Sequence, residues 1–453
     1  MRGTCKLHPL LNRLLNSSAV RSTSALVGGH LFSAVVVGVS TLIEARFVSP
    51  VHLGTYQSFA IATAYVGILN LGVVQALQRH LPFYIGQGEH KKAEELASIS
   101  QAWILLVAAG VSSVFLALSA LALFRGDFTA AAGWAAQVFL AFSMLCLLYL
   151  TSTYRASAHF VKLAKGNAIQ GVTALVSVPL VILHPYYGLC LRRVIPQAIM
   201  GLYLLANRPL RIVSKIKWRE LTQMVKFGLP LSFVGYMDTS FWPATLNLFV
   251  LHVLGKGPLG LLAFTLSVQQ ALLTVPGAVS QVFMPRIAMT LGQTGRIKDV
   301  FRVTIWPTVL TVLCCLPIAI AFSWLIGPVV TGLMPKYTGA IAALRWAAFL
   351  MPVAAMNIPV YILVASKQVW QYAVSTFAGS IVGILAAIIA IRSGFGITGV
   401  VVATITGKAV IYLTACLFIC LLLRNEQTAR ATGVDVVPSG QLDRAPDGSR
   451  FSP

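Results

Sequence analysis

The sequence predicts an all-α polytopic membrane protein: about twelve transmembrane helices in two six-helix bundles related by a parallel internal repeat. Three observations carry this prediction. First, 57% of the 453 residues are hydrophobic and only 10% are charged, with a mean hydropathy of +0.81. A soluble domain is about 25% charged, so a chain this apolar could not clothe a water-facing surface. Second, the apolar runs are about 20 residues long, the length a helix needs to cross the hydrocarbon. They also lack the alternation of barrel strands, and only helices or closed barrels satisfy their backbone in lipid. Third, the two halves of the chain share spaced polar and glycine positions.

Residues 1–24 read as a cytoplasmic segment. Arg2, Lys6, Arg13 and Arg21 surround a short Leu10–Leu15 cluster, too brief for the apolar core of a signal peptide but suited to a short interfacial helix. The N-terminal bundle, 25–207, holds expected spans at 26–46, 54–78, 99–123, 134–154, 168–184 and 188–207. A basic cytoplasmic linker follows at 208–226. The C-terminal bundle, 227–423, holds spans at 227–254, 258–284, 303–326, 340–364, 371–391 and 396–423. The tail, 424–453, is rich in Gly, Pro, Ser, Asp and Arg without apolar periodicity, and is expected to be disordered.

Orientation follows from Lys and Arg in the short connections. With the N-terminus inside, most of the 34 Lys and Arg fall on the cytoplasmic side. The linker with Arg208, Arg211, Lys215, Lys217, Arg219 and Lys226 is the densest group. The expected location is therefore the cell (inner) membrane, multi-pass, with both termini cytoplasmic. The net charge of +22 reads as topology and attraction to anionic lipid headgroups. A nucleic-acid role would want a folded basic face with base-reading groups, and none is evident.

The repeat is visible at an offset of about 206 residues. Gly54 falls on Gly260, Gln75 on Gln281, Gly86 on Gly292, Gln87 on Gln293 and Lys92 on Lys298, without a gap. Six spans per half is an even number, so both halves insert the same way up, and an axis along the membrane normal relates them. A central cavity between two bundles is the expected consequence.

No catalytic constellation is present, and no cofactor or metal is expected. Gly407-Lys408-Ala409 lacks the other features of a phosphate loop. Six of the seven cysteines lie in apolar runs and read as small buried residues. What remains informative is the set of ionisable residues at membrane depth, each costing about 2.5–3.5 kcal/mol unless it meets a cavity or partner. Arg192 and Arg193 lie one turn into the sixth span, about 100° apart around the helix. Lys408 lies near the middle of the twelfth span, and Arg345 lies shallow in the tenth, within snorkelling reach. The acids are Asp238 in the seventh span and Glu44 at the outer end of the first. Asp238 either titrates during transport or pairs with a cation such as Lys408. An interior with more cations than acids suits an anionic ligand, such as a phosphate or diphosphate. The expected binding residues are Arg192, Arg193, Arg345 and Lys408, with Asp238 and Glu44 as the ion-coupling candidates.

Several stretches resemble the polysaccharide-biosynthesis membrane proteins. They are the run from Ala45 to Tyr56 (ARFVSPVHLGTY), Leu69-Asn70-Leu71-Gly72, the loop from Gly86 to Glu95, Phe227-Gly228-Leu229-Pro230, Phe283-Met284-Pro285-Arg286 and Tyr337-Thr338-Gly339-Ala340. In order and spacing they are similar to O-antigen and exopolysaccharide flippases of the multidrug/oligosaccharidyl-lipid/polysaccharide exporter superfamily. One departure is Asn247, where relatives often carry an acid. The resemblance implies alternating access by two six-helix bundles. It also implies a polyprenyl-diphosphate-linked oligosaccharide as substrate, membrane lipids as surroundings, and a polysaccharide polymerase and glycosyltransferases as partners. Two other readings stay open: an ion-coupled multidrug exporter of the same fold, and a non-transporting scaffold of a polysaccharide synthase complex.

Overall fold

A computed structural model describes residues 18–431 apart from 211, 295 and 367. The secondary structure of the described residues is entirely helical, with no strand. In chain order the helices are α1 (Ser18–Phe47), α2 (Pro50–Val66), α3 (Val73–Gly86), α4 (His90–Phe124), α5 (Phe128–Ala156), α6 (Phe160–Val176), α7 (Val178–Leu183) and α8 (Pro185–Ala206). There follow α9 (Trp218–Tyr236), α10 (Trp242–Leu254), α11 (Lys256–Thr294), α12 (Ile297–Leu333), α13 (Ile341–Ala347), α14 (Leu350–Ala355), α15 (Ile358–Ala365), α16 (Val369–Arg392) and α17 (Gly396–Ala431).

Among the described residues, ten spans are long and apolar enough to cross a membrane, and eleven with the bent pair Pro50–Asn70 and Val73–Gly86. The chain is thus a multi-pass membrane protein. The expected seventh span is not among the eleven. There a π-helical turn, Met237–Phe241, divides the helix into pieces of 19 and 13 residues. Helix α9 also begins at Trp218, inside the segment expected as linker, and α17 runs to Ala431, past the expected start of the tail. Residues 432–453 and 1–17 lie outside the described residues.

The breaks have local causes. The bend of 48° between α2 and α3 follows Leu71 and Gly72, both with positive φ (49° and 77°). A glycine adopts this region without strain, whereas a leucine resists it. Asn70 holds the bend: its carbonyl oxygen accepts from the Val74 N–H at 3.1 Å, and its amide donates to Gln75 at 2.6 Å. At the π turn, Pro243 lacks an N–H and its ring would clash with the carbonyl of Thr239, four residues back. A wider turn relieves that clash.

Small residues set the closest approaches, as is usual where helices associate in lipid. Helices α2 and α11 cross at Gly54 and Gly260. A Cβ on Gly54 would overlap the Lys256 carbonyl, and one on Gly260 would overlap the Pro50 carbonyl. A second crossing joins Gly72 to Gly228 of α9, where a Cβ on either would overlap the other's backbone. Helices α16 and α17 meet through Gly379, Gly383 and Gly407. A large apolar core, with Val48, Leu53, Phe264, Val330 and Tyr337 buried in it, surrounds the α2–α11 crossing.

Candidate ligand-binding site

The six ionisable residues singled out in the sequence form three separate groups. The first joins α1 to α8. Ser40 and Glu44 are four residues apart, so they share one face of α1. Arg192 pairs with Glu44 and donates from Nη2 to Ser40 Oγ at 2.8 Å, while Arg193 donates from Nη2 to Glu44 Oε1 at 2.8 Å. Both guanidiniums therefore reach one carboxylate, although their stems leave α8 in different directions. Arg192 and Glu44 are each 3% exposed and Arg193 is 26% exposed. The Arg193 guanidinium also lies 5.9 Å from the centre of the Tyr56 ring on α2, within cation–π range. The Arg192–Glu44 bridge is buried, the triad carries a formal charge of +1, and its geometry makes it a brace between α1 and α8.

The second group lies in the C-terminal half. Lys408 on α17 donates from Nζ to Asp238 Oδ1 at 2.6 Å, and the two side chains are 25% and 21% exposed. The π turn presents Asp238. The tight seam between Gly407 and Gly379 fixes α17 against α16 and so fixes where Lys408 leaves the helix. Tyr361, Tyr372 and Tyr412 lie within electrostatic reach of the Asp238 carboxylate. Behind them, Asn357 accepts from Ser280 at 3.0 Å. This corner holds one ammonium, one carboxylate and a set of hydroxyls, all of which can bind a polar ligand. The pairing of Lys408 with Asp238 is one of the two outcomes the sequence left open.

Arg345 stands apart. It is exposed, and its Nη2 would lie 3.0 Å from a Cβ built on Gly327 of α12. Its place near the end of a span fits snorkelling. What sequence reasoning missed is the service of both arginines by Glu44. The available signal was the i, i+4 spacing of Ser40 and Glu44 at the same outer depth as Arg192.

Two further features complete the surroundings. Tyr337, in the 3₁₀ turn Pro335–Ala340, is fully buried and donates to the Val48 carbonyl at 3.2 Å, with its ring 4.5 Å from Phe264. It pins the α12–α13 connection onto the α1–α2 corner. Between α1, α11 and α12 lies a cavity of about 350 Å3. Its hydroxyls, on Thr41, Ser267 and Thr274, all donate back to carbonyls four residues earlier. The cavity wall is therefore effectively hydrocarbon. Among the described residues no group of three or more His, Cys, Asp or Glu is placed to hold a metal ion.

Known proteins place this architecture. The chain shares its fold with the inward-facing conformation of a multidrug resistance MATE family transporter of the MOP superfamily: TM-score 0.69, 13% identity, covering 87% of this chain and 96% of the other. For the outward-facing conformation of a multidrug resistance MATE family transporter the values are 0.59, 12%, 92% and 98%. A MOP superfamily transporter from Pyrococcus furiosus, described as having a binding pocket of reverse polarity that suggests a different function, gives 0.58, 14%, 93% and 99%. No curated protein matches the chain in sequence. The family model described as polysaccharide biosynthesis protein matches residues 43–341, a stretch that holds the α2–α11 crossing, the buried triad and Tyr337. On that match the chain belongs to the polysaccharide biosynthesis protein family, and it shares its fold with MATE transporters of the MOP superfamily.

Proposed function

We propose that the protein is a flippase that moves a polyprenyl-diphosphate-linked oligosaccharide from the inner to the outer leaflet by alternating access, for cell-surface or exopolysaccharide synthesis. The observation that carries this reading is the sign of the ionisable side chains at membrane depth. Arg192, Arg193, Arg345 and Lys408 outnumber Glu44 and Asp238. A cationic surplus in a low dielectric favours a phosphate-bearing substrate and disfavours organic cations. Lys408 is the residue that would contact the diphosphate, because it is part-exposed, is held by a single carboxylate, and that carboxylate lies within electrostatic reach of Tyr361, Tyr372 and Tyr412. The apolar cavity between α1, α11 and α12 suits the prenyl tail, since its own hydroxyls are already satisfied.

The two bundles, 25–207 and 227–423, would rock about the pseudo-two-fold axis. The reciprocal Gly54–Lys256 and Gly260–Pro50 contacts support that axis, because each maps onto the other at the 206-residue offset. The same crossing, with Tyr337 on Val48, supports a state closed at the outer face. Both termini are cytoplasmic and the membrane is the inner one in this reading. The decisive experiment is translocation of fluorescent lipid-linked oligosaccharide by the purified protein in proteoliposomes. Movement by the protein alone supports the flippase, and its absence with active enzyme partners present returns the scaffold reading.

The second reading, an ion-coupled multidrug exporter, draws on one observation. Asp238 sits on a π turn, a device that recurs at functional sites, and a carboxylate there could bind organic cations. Loss of dye resistance in Asp238→Asn would favour it.

A further inference from the structure

We infer that Asp238 is a built-in competitor for the anion that Lys408 binds, so that the resting site is held shut by its own carboxylate. The inference rests on the flippase reading and concerns how the site is regulated. Lys408 Nζ donates to Asp238 Oδ1 at 2.6 Å. An ammonium has three N–H donors, and among the described residues this is the one strong contact it makes. Asp238 occupies the place where a phosphate oxygen would sit.

Three features make the pair exchangeable. First, both side chains are about a quarter exposed, so water can solvate either partner once they part. That distinguishes the pair from the Arg192–Glu44 bridge, at 3% exposure on both sides. Second, Asp238 stands on the π turn Met237–Phe241. Reversion of that turn to α geometry would rotate the residues on one side of it by about 100° relative to the other, which changes where the Asp238 carboxylate points. Third, the neighbours of Asp238 from the packed helices are uncharged hydroxyls: Tyr361 on α15, with Tyr372 on α16 and Tyr412 on α17. Phenol hydroxyls can donate to phosphate oxygens as readily as to a carboxylate.

An arriving diphosphate takes the Lys408 ammonium, and Asp238 is then a like charge beside the ligand. The carboxylate therefore weakens binding in the wild-type protein. A purely structural pair has the opposite signature, since removing either partner would then loosen the site and weaken any ligand.

The test uses full-length protein in nanodiscs and measures binding of farnesyl diphosphate, with farnesol as the uncharged control and ethidium as the cationic probe. Asp238→Asn is expected to bind farnesyl diphosphate about tenfold or more tightly than wild type, the effect of removing one like charge at close range. Lys408→Gln is expected to lose it, and farnesol is expected to bind all three alike. Asp238→Ser repeats the measurement should the asparagine variant fold poorly. Unchanged or weaker diphosphate binding in both folded Asp238 variants overturns the competitor. If wild type still translocates lipid-linked oligosaccharide in that case, the flippase reading stands without it. Tighter ethidium binding in Lys408→Gln, with no diphosphate binding in any protein, overturns both and makes Asp238 a cation site.

Discussion

The Arg192–Glu44–Arg193 triad and the Asp238–Lys408 pair use the same chemistry in different surroundings. Both put a carboxylate against a basic side chain within a membrane protein. Within the triad the Arg192–Glu44 bridge is sealed between α1 and α8 at 3% exposure, with Ser40 beside it and the part-exposed Arg193 at its margin. The pair stands on an irregular turn with about a quarter of each side chain exposed. A sealed ion group cannot be parted without stranding a charge, whereas a half-open one can change partners. Burial, more than residue type, assigns one to bracing and the other to binding.

The sharpest way to break that contrast is to remove the acid from each. Glu44→Ala leaves two guanidiniums around an empty centre and is expected to cost about 3–5 kcal/mol. It should show as a large fall in melting temperature and in folded yield. Glu44→Leu combined with Arg192→Met should recover part of that loss, because the deeply buried pair is then apolar and only Arg193, the more exposed cation, is left without its carboxylate. Asp238→Ala is expected to cost about 1 kcal/mol or less, as for a part-exposed pair. Equal losses in the two melting curves would erase the distinction.

A second experiment concerns the crossing above the triad. Gly54→Leu places a side chain into the Lys256 carbonyl and should prevent α2 and α11 from closing. Overpacking of this kind costs about 1–3 kcal/mol. Val48→Cys, in a background without other cysteines, reports on it through a membrane-impermeant thiol reagent. Val48 is 0% exposed, so labelling should be slow with Gly54 intact and severalfold faster once the Gly54→Leu change is added.

A smaller effect is expected at the tyrosine that pins the two halves. Tyr337→Phe keeps the ring on Phe264 but removes the donor to the Val48 carbonyl. About 0.5–1.5 kcal/mol should be lost, with a modest rise in Val48→Cys labelling.

The smallest expected effect is at Lys217, which pairs with Glu95 at the surface. Hydrogen bonding to Glu95 raises the Lys217 ammonium above its ordinary 10.5. A raised folded value stabilises fully below the unfolded one and is lost as pH climbs through the folded one. The difference between wild type and Lys217→Gln should thus be small and flat from about pH 6 to 9, as read from melting curves, and should fade only above about pH 10.5.

Much of the fold was legible because lipid leaves few options. Long apolar runs separated by polar connections read as helices, and among the described residues ten of the expected spans emerge as such, eleven with the bent pair taken as one. The seventh did not read as an interrupted helix. Pro243 and Asp238 stand in one apolar run, and only the packed helix has to find a wider turn for the proline. The glycines of Leu69-Asn70-Leu71-Gly72 and Phe227-Gly228-Leu229-Pro230 were visible as motifs. That Gly72 and Gly228 touch each other was not, because nothing local links residues so far apart.

The same limit governed the charges. The sequence by itself determined that ionisable residues lie at membrane depth, that cations exceed acids there, and that few partners exist to share. Composition and the thickness of the hydrocarbon suffice for that. Only the tertiary structure decided that Glu44 serves both arginines while Asp238 waits on Lys408. Pairing depends on which helix faces lie together and on how much water reaches them, and those are properties of packing between segments more than 140 residues apart.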